Sequence, residues 1–239
     1  SGYDASLAQI SNEERLAYFN KACAGLETED LKLSGIFSNG ATTFAQINTR
    51  SEHALYIKVS DAQVTLVLAD ARDLSPVAGM DFDAVLLMGP LYHLVVEADR
   101  QTALLQATRR LRRGGVLFSS FISRYGILGD LMRNVPQWIE QQEEVRSVLA
   151  RGRDPEDYPH GGFRGYFARA DEIPPLHAGV GLEMLALAGV EPAISADDES
   201  YNRLEGSTRT RWLDLLEAVS QEPSILGASR HLLYVGRKP

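Results

Sequence analysis

Tyr92 and His93 are the residues of this chain best placed for chemistry. They follow an apolar run, Ala84 to Met88, that Gly89 and Pro90 stop abruptly. Such a run is the pattern of a strand covered on both faces. In an open α/β sheet, ligands bind where strands end at their carboxyl side, and Leu91, Tyr92 and His93 come at that point. Gly89 lets the backbone pass close to a ligand, and Pro90 stiffens the loop. His93 titrates near neutrality and can serve as a base, with Tyr92 orienting an acceptor; the structural alternative has Tyr92 packed and His93 capping the next helix. Further along, Arg124, Tyr125, His160 and Arg164 could hold an acceptor. An arginine fork suits a carboxylate or phosphate, although ion pairs with the abundant Asp and Glu explain Arg124 and Arg164 as well. His160 lies in PHGG, a glycine-rich stretch of the kind that forms lids. The five histidines are scattered, with no His-x-x-x-His or paired-carboxylate signature, so metal binding has no support.

These residues need elements to position them. After the loop, Ala103, Leu104, Ala107 and Leu111 recur at helical spacing, and Arg109, Arg110, Arg112 and Arg113 crowd the helix end, where positive charge suits the dipole. Gly114-Gly115 then reads as a helix break and Val116 to Ile122 as a strand. Upstream, residues 6–26 read as an amphipathic helix, and strands are expected within 31–47, over 53–59 and over 64–68. Residues 127–151 read as one helical stretch, followed by a Pro- and Gly-rich loop. A helix follows Pro174-Pro175, strands cover 182–190 and 231–237, and a helix covers 208–219. Strands alternating with helices indicate an α/β three-layer sandwich. The chain is expected to be a single domain over 1–239, with residues 123–172 as a small helical cap and 1–63 as an atypical N-terminal region.

The bulk properties narrow the partners. The chain has 239 residues, a net charge of −8, 44% hydrophobic and 23% charged residues. Such an acidic surface disfavours nucleic acid, which is usually met by a basic face. The single cysteine, Cys23, excludes an internal disulfide. No apolar run reaches membrane-spanning length, and no signal peptide is visible. Ser1-Gly2 reads as a tag remnant. A cytoplasmic protein without membrane or nucleic-acid partners is expected, acting on a small molecule, with a homodimer as one option.

The order FDAVLL, GPLYHL, Arg-rich helix end, GG, VLF resembles the second half of class I S-adenosylmethionine (SAM)-dependent methyltransferases, in the bacterial branch with a GPLYHL loop after strand four. FRGYFARADEI (163–173), EPSILGASRHLLYVGRK (222–238) and ADARDL (69–74) are similar to other parts of that branch, so the resemblance covers about residues 64–239. It implies a Rossmann-like sheet with a C-terminal antiparallel hairpin, SAM as cofactor, and methyl transfer to a small-molecule acceptor. It places cofactor contacts at Asp70 and Ala71 after strand three and at Gly89, Pro90 and Leu91 after strand four. Asp61 is the candidate for the ribose hydroxyls. The glycine-rich first motif is degenerate or missing, with Gly35 and Gly40 as its remnant. The helix between strands two and three also has no room, since only Ser60 to Gln63 separate them. A hairpin over residues 31–68, a shortened N-terminal region or an incomplete sequence would each account for this. The contrasting reading is an inactive scaffold of the same fold that supports another subunit.

Overall fold

A computed structural model of the chain describes residues 63–155, 165–191 and 203–239, together with the strands at 44–49 and 54–60; up to residue 68 it describes the backbone alone. The described elements fall into two compact units.

The first unit holds β1 (Phe44–Thr49), β2 (Ala54–Ser60), β3 (Gln63–Ala69), β4 (Phe82–Met88), α1 (Pro90–His93), α2 (Glu97–Arg110) and the beginning of β5 (Leu111–Ser123). The strand order is β3-β2-β1-β4-β5. β1 pairs parallel with β4, Phe44 opposite Ala84 and Asn48 opposite Met88. β2 runs antiparallel to both β1 and β3. The short links at 50–53 and 61–62 dictate this, because a parallel crossover needs a dozen or more residues. Within 44–69 the chain thus forms an antiparallel three-strand meander, as the hairpin alternative expects for that stretch. β3, reversed twice, points the same way as β1 and β4. Ala69 lies opposite Ala54, and Ala54 opposite Thr49, so the carboxyl ends of β1, β3 and β4 share one sheet edge.

β4 is buried on both faces, as its continuous apolar run predicts, with Phe82 and Ala84 on one side and Val85 and Leu87 on the other. Helix α2 buries Ala103, Leu104 and Ala107 and packs on β4. Glu97 and Asp99 occupy its first turn and Arg109 and Arg110 its last, both favourable to the macrodipole. The helix ends before Gly114-Gly115, and both glycines belong to β5, which starts at Leu111. Arg112 and Arg113 are therefore strand residues, and Arg112 pairs with Asp83 at 2.6 Å.

The second unit contains the rest of β5, α3 (Leu128–Asn134), a 3-10 turn at Pro136–Glu140, α4 (Gln142–Arg151), β6 (Phe167–Ala168), α5 (Ile173–Ala178), β7 (Glu183–Gly189), α6 (Gly206–Val219), α7 (Pro223–Ala228) and β8 up to Gly236; β8 spans His231–Arg237. Here the order is β5-β8-β7, with β6 parallel to β5. The expected helix over 127–151 is interrupted at Pro136, which has no N–H to donate and drives Val135 out of the helical region, to φ −142 and ψ 53. The core of this unit is built around a histidine. His177 is fully buried; its ring stacks on Tyr234 at 3.7 Å and meets Phe121 edge-on at 5.7 Å. Sheets flanked by helices place the chain in the α/β class expected from the sequence.

Candidate functional site

The candidate ligand edge lies in the first unit, where β1 and β4 run side by side in parallel although β2 and β3 come between them in the chain. β1 turns away toward β2 and β3 on one side, and β4 leads to β5 on the other. This reversal of strand order is a topological switch point, the usual ligand crevice of an open α/β sheet.

The loop after β4 starts at the switch point. Gly89 adopts φ 127, ψ −52, a conformation costly for any residue with a Cβ, and directly precedes α1. Pro90 takes the first helical position, where its missing N–H costs nothing. Leu91 is fully buried and anchors the turn. Backbone bonds close it, the Tyr92 amide donating to the Gly89 carbonyl at 3.2 Å and the Leu94 amide to the Pro90 carbonyl at 2.9 Å. Arg100 of α2 is buried and steadies the exit, its Nη1 donating to the carbonyls of Leu94 and Val95 at 2.7 and 2.8 Å. Tyr92 and His93 remain half-buried, with ring centroids 4.9 Å apart. Burial pushes the Tyr92 hydroxyl pKa up and the His93 pKa down from its usual 6.5. Each shift favours the neutral form.

At the end of β3, Asp70 opens a tight turn in which the Asp73 amide donates to the Asp70 carbonyl at 2.9 Å. Ala71 is buried. The Asp70 carboxylate receives Arg72, with Nη2 at 2.6 Å from Oδ2 and Nε at 3.0 Å from Oδ1, plus the Arg72 amide at 2.8 Å. Arg72 also reaches Asp99 at the start of α2, at 3.0 Å. The two carboxylates hold the guanidinium firmly protonated. Asp73 caps the following turn, accepting from the Ser75 amide at 2.9 Å, and this keeps its carboxyl below the usual range. Arg110 closes the segment by donating to the carbonyls of Leu74, Val77 and Gly79.

The remaining expected site residues are distributed differently. Gly35, Gly40, Asp61, His160 and Arg164 lie outside the described residues. β2 ends at Ser60, paired with Gln63, at the edge opposite the carboxyl ends of β1 and β4. Arg124 and Tyr125 belong to the second unit. Arg124, expected to receive an anionic acceptor, is committed to the protein instead. It is almost fully buried, its Nη2 donating to both oxygens of Glu172 at 2.8 and 2.7 Å and its Nε to the Phe167 carbonyl at 3.1 Å. Tyr166 adds a hydroxyl to the same carboxylate at 2.8 Å. This is the ion-pair alternative raised for that residue. Tyr125 is exposed. Sequence reasoning missed the Arg72 bridge, since nothing in the spacing links Asp70 with Asp99. It also missed His177, which the Ile173 spacing of one helical turn could have marked. Among the described residues no cluster of His, Cys, Asp or Glu could hold a metal ion, and no helix is long and apolar enough to cross a membrane.

Residues 22–119 match the family model of the methyltransferase domain. No curated protein matches the sequence. Solved structures resembling the chain include a SAM-dependent methyltransferase of Thermotoga maritima, described as a possible histamine N-methyltransferase, at 17% identity over 72% of this chain and 62% of that one, with a TM-score of 0.39. Others are a SAM-dependent methyltransferase of Methanosarcina mazei (14% identity, 76% and 68% covered, TM-score 0.39) and the CcbJ methyltransferase of Streptomyces caelestis (15%, 73% and 68%, TM-score 0.39). Scores this low establish no shared fold, and the chain spans less than two thirds of the Thermotoga protein. The family match begins at residue 22, well before the point at which motifs become recognisable by eye. It spans β1 to β4, the switch point and the loop after β4, and over that stretch it agrees with the resemblance to class I SAM-dependent methyltransferases.

Proposed function

We propose that the chain is a SAM-dependent methyltransferase acting on a small molecule. The observation that carries this reading is the glycine at the switch point: Gly89 leaves β4 beside the carboxyl end of β1 in a conformation only glycine adopts readily. The residues at this edge fit an elongated nucleoside ligand. The ends of β3 and β4 lie three strand spacings apart, about 14 Å. Asp70 and Ala71 at one end would border the adenine, and Gly89, Pro90 and Leu91 at the other would border the amino-acid portion. The bound cofactor supplies an electrophilic methyl group. The protein's part is to hold the acceptor in line, exclude water and, where needed, take a proton. Half-burial keeps His93 neutral near neutral pH, so its imidazole can accept that proton, while Tyr92 stays a hydroxyl donor. The net charge of −8 favours a small acceptor over nucleic acid.

The scaffold alternative draws on the Arg72 bridge, which occupies both oxygens of Asp70. Calorimetry with SAM and S-adenosylhomocysteine, on the natural chain and on Gly89→Ala, separates the two. Binding that weakens at least about tenfold in the variant supports the enzyme reading, since a Cβ at this φ costs roughly 1–3 kcal/mol. Absence of heat and of any thermal shift in the natural chain would remove it.

A further inference from the structure

Helix α6 has fourteen residues and buries none of them. Trp212, Leu213 and Leu215 are 45%, 50% and 51% exposed, and Leu216 and Val219 complete an apolar arc with them. A helix with this much apolar surface ordinarily packs it against something. Its charges are also set against its own dipole. Arg209 and Arg211 lie in the amino-terminal half, Asp214 and Glu217 in the carboxyl-terminal half, the reverse of what the macrodipole favours. None of these four has an ion-pair partner among the described residues. A local arrangement that costs stability without evident compensation points to a contact beyond the protomer.

We propose that α6 is a homodimer interface in which two copies pack antiparallel about a two-fold axis near Leu213. Arg209 and Glu217 are equidistant from Leu213, four residues on either side, and straddle it at one edge of the apolar arc, about 80° apart around the helix. In an antiparallel pair like flanks meet, so each Arg209 faces the Glu217 of the other copy, and the opposed dipoles of the two helices align favourably. The arc, centred on Trp212 and Leu216, then packs against its own image, as an isologous interface requires. The two arginines and two carboxylates cancel, so this face carries no share of the −8 charge that repels two copies elsewhere. A uniformly acidic or basic partner would find no matching field here; a second copy does.

Sedimentation velocity on the full chain tests this. The natural chain is expected to dimerise in a concentration-dependent way. Arg209→Glu and Glu217→Arg each place like charges across the axis and should weaken association roughly tenfold or more. An equimolar mixture of the two variants restores both Arg–Glu pairs and should restore the dimer. The substitutions are at exposed positions, and unchanged far-UV circular dichroism shows that both variants fold. A natural chain that remains monomeric, single variants that dimerise undiminished, or a mixture of folded variants that stays monomeric would each overturn the proposal.

Discussion

Acidification should unlock the second unit through His177. The imidazole is neutral in the fold. Nδ1–H donates to the Ile173 carbonyl at 2.8 Å, which leaves Nε2 to accept the Ser119 hydroxyl at 2.7 Å. The other neighbours are Phe121 and the stacked Tyr234 ring, and among the described residues no carboxylate touches the imidazole. Burial lowers the His177 pKa from 6.5 to about 4, only partly offset by the bond to Ile173. Between those values the unfolded chain binds a proton that the folded chain refuses, so stability is complete above 6.5 and is lost as pH falls toward 4. A shift of this size corresponds to about 3 kcal/mol, a large part of the roughly 5–15 kcal/mol that holds a domain together. Urea unfolding followed by circular dichroism across this window, on the natural chain and on His177→Phe, isolates the effect, because the carboxylates titrate in both proteins. At neutral pH the variant should be less stable by about 1–3 kcal/mol, since Ser119 loses its acceptor and Ile173 its donor. As pH falls, that gap should close and then reverse. Parallel pH profiles for the two proteins would refute the assignment of a neutral, proton-refusing core histidine.

Two other perturbations probe the Arg124 region. Gly152 ends α4 at φ 70, and a Cβ there would lie 2.2 Å from the Phe167 carbonyl oxygen and 2.5 Å from Arg124 Nη2. Gly152→Ala should therefore cost about 2 kcal/mol or more, seen as a lower Tm, and an unchanged Tm would contradict the packing described. Glu172→Gln leaves the buried Arg124 guanidinium without its carboxylate. Because Glu172 is 34% exposed, solvent softens the loss to about 1–3 kcal/mol by chemical denaturation, and a neutral outcome would mean that the pair adds nothing.

The parts of the fold that were legible in the sequence are those with strong local signals. The run from Phe82 to Ser123, the helix near 208–219 and the strand at 231–237 lie where periodicity and turn residues place them. Gly114-Gly115 misled because a glycine pair reads as a helix break, whereas Leu111 already belongs to the strand and the pair sits inside it. The stretch at 127–151 read as one helix because its composition is helical throughout, and Pro136 overrides composition locally. Of the site, the Gly89 loop was readable because its glycine and proline have backbone meanings that hold without tertiary context. The fate of Arg124 was not: whether an arginine meets a ligand or a glutamate 48 residues away depends on pairing that no local pattern encodes.

The three-strand meander has a consequence of parity. An even number of turns about restores direction, so the outer two strands still deliver their last residues to the rim that a helix-linked version would use. Only the middle strand is inverted. At that rim the middle strand presents its first residue, Ala54, instead of its last, so the sheet exchanges helical crossovers for tight bends while changing a single strand end along the edge.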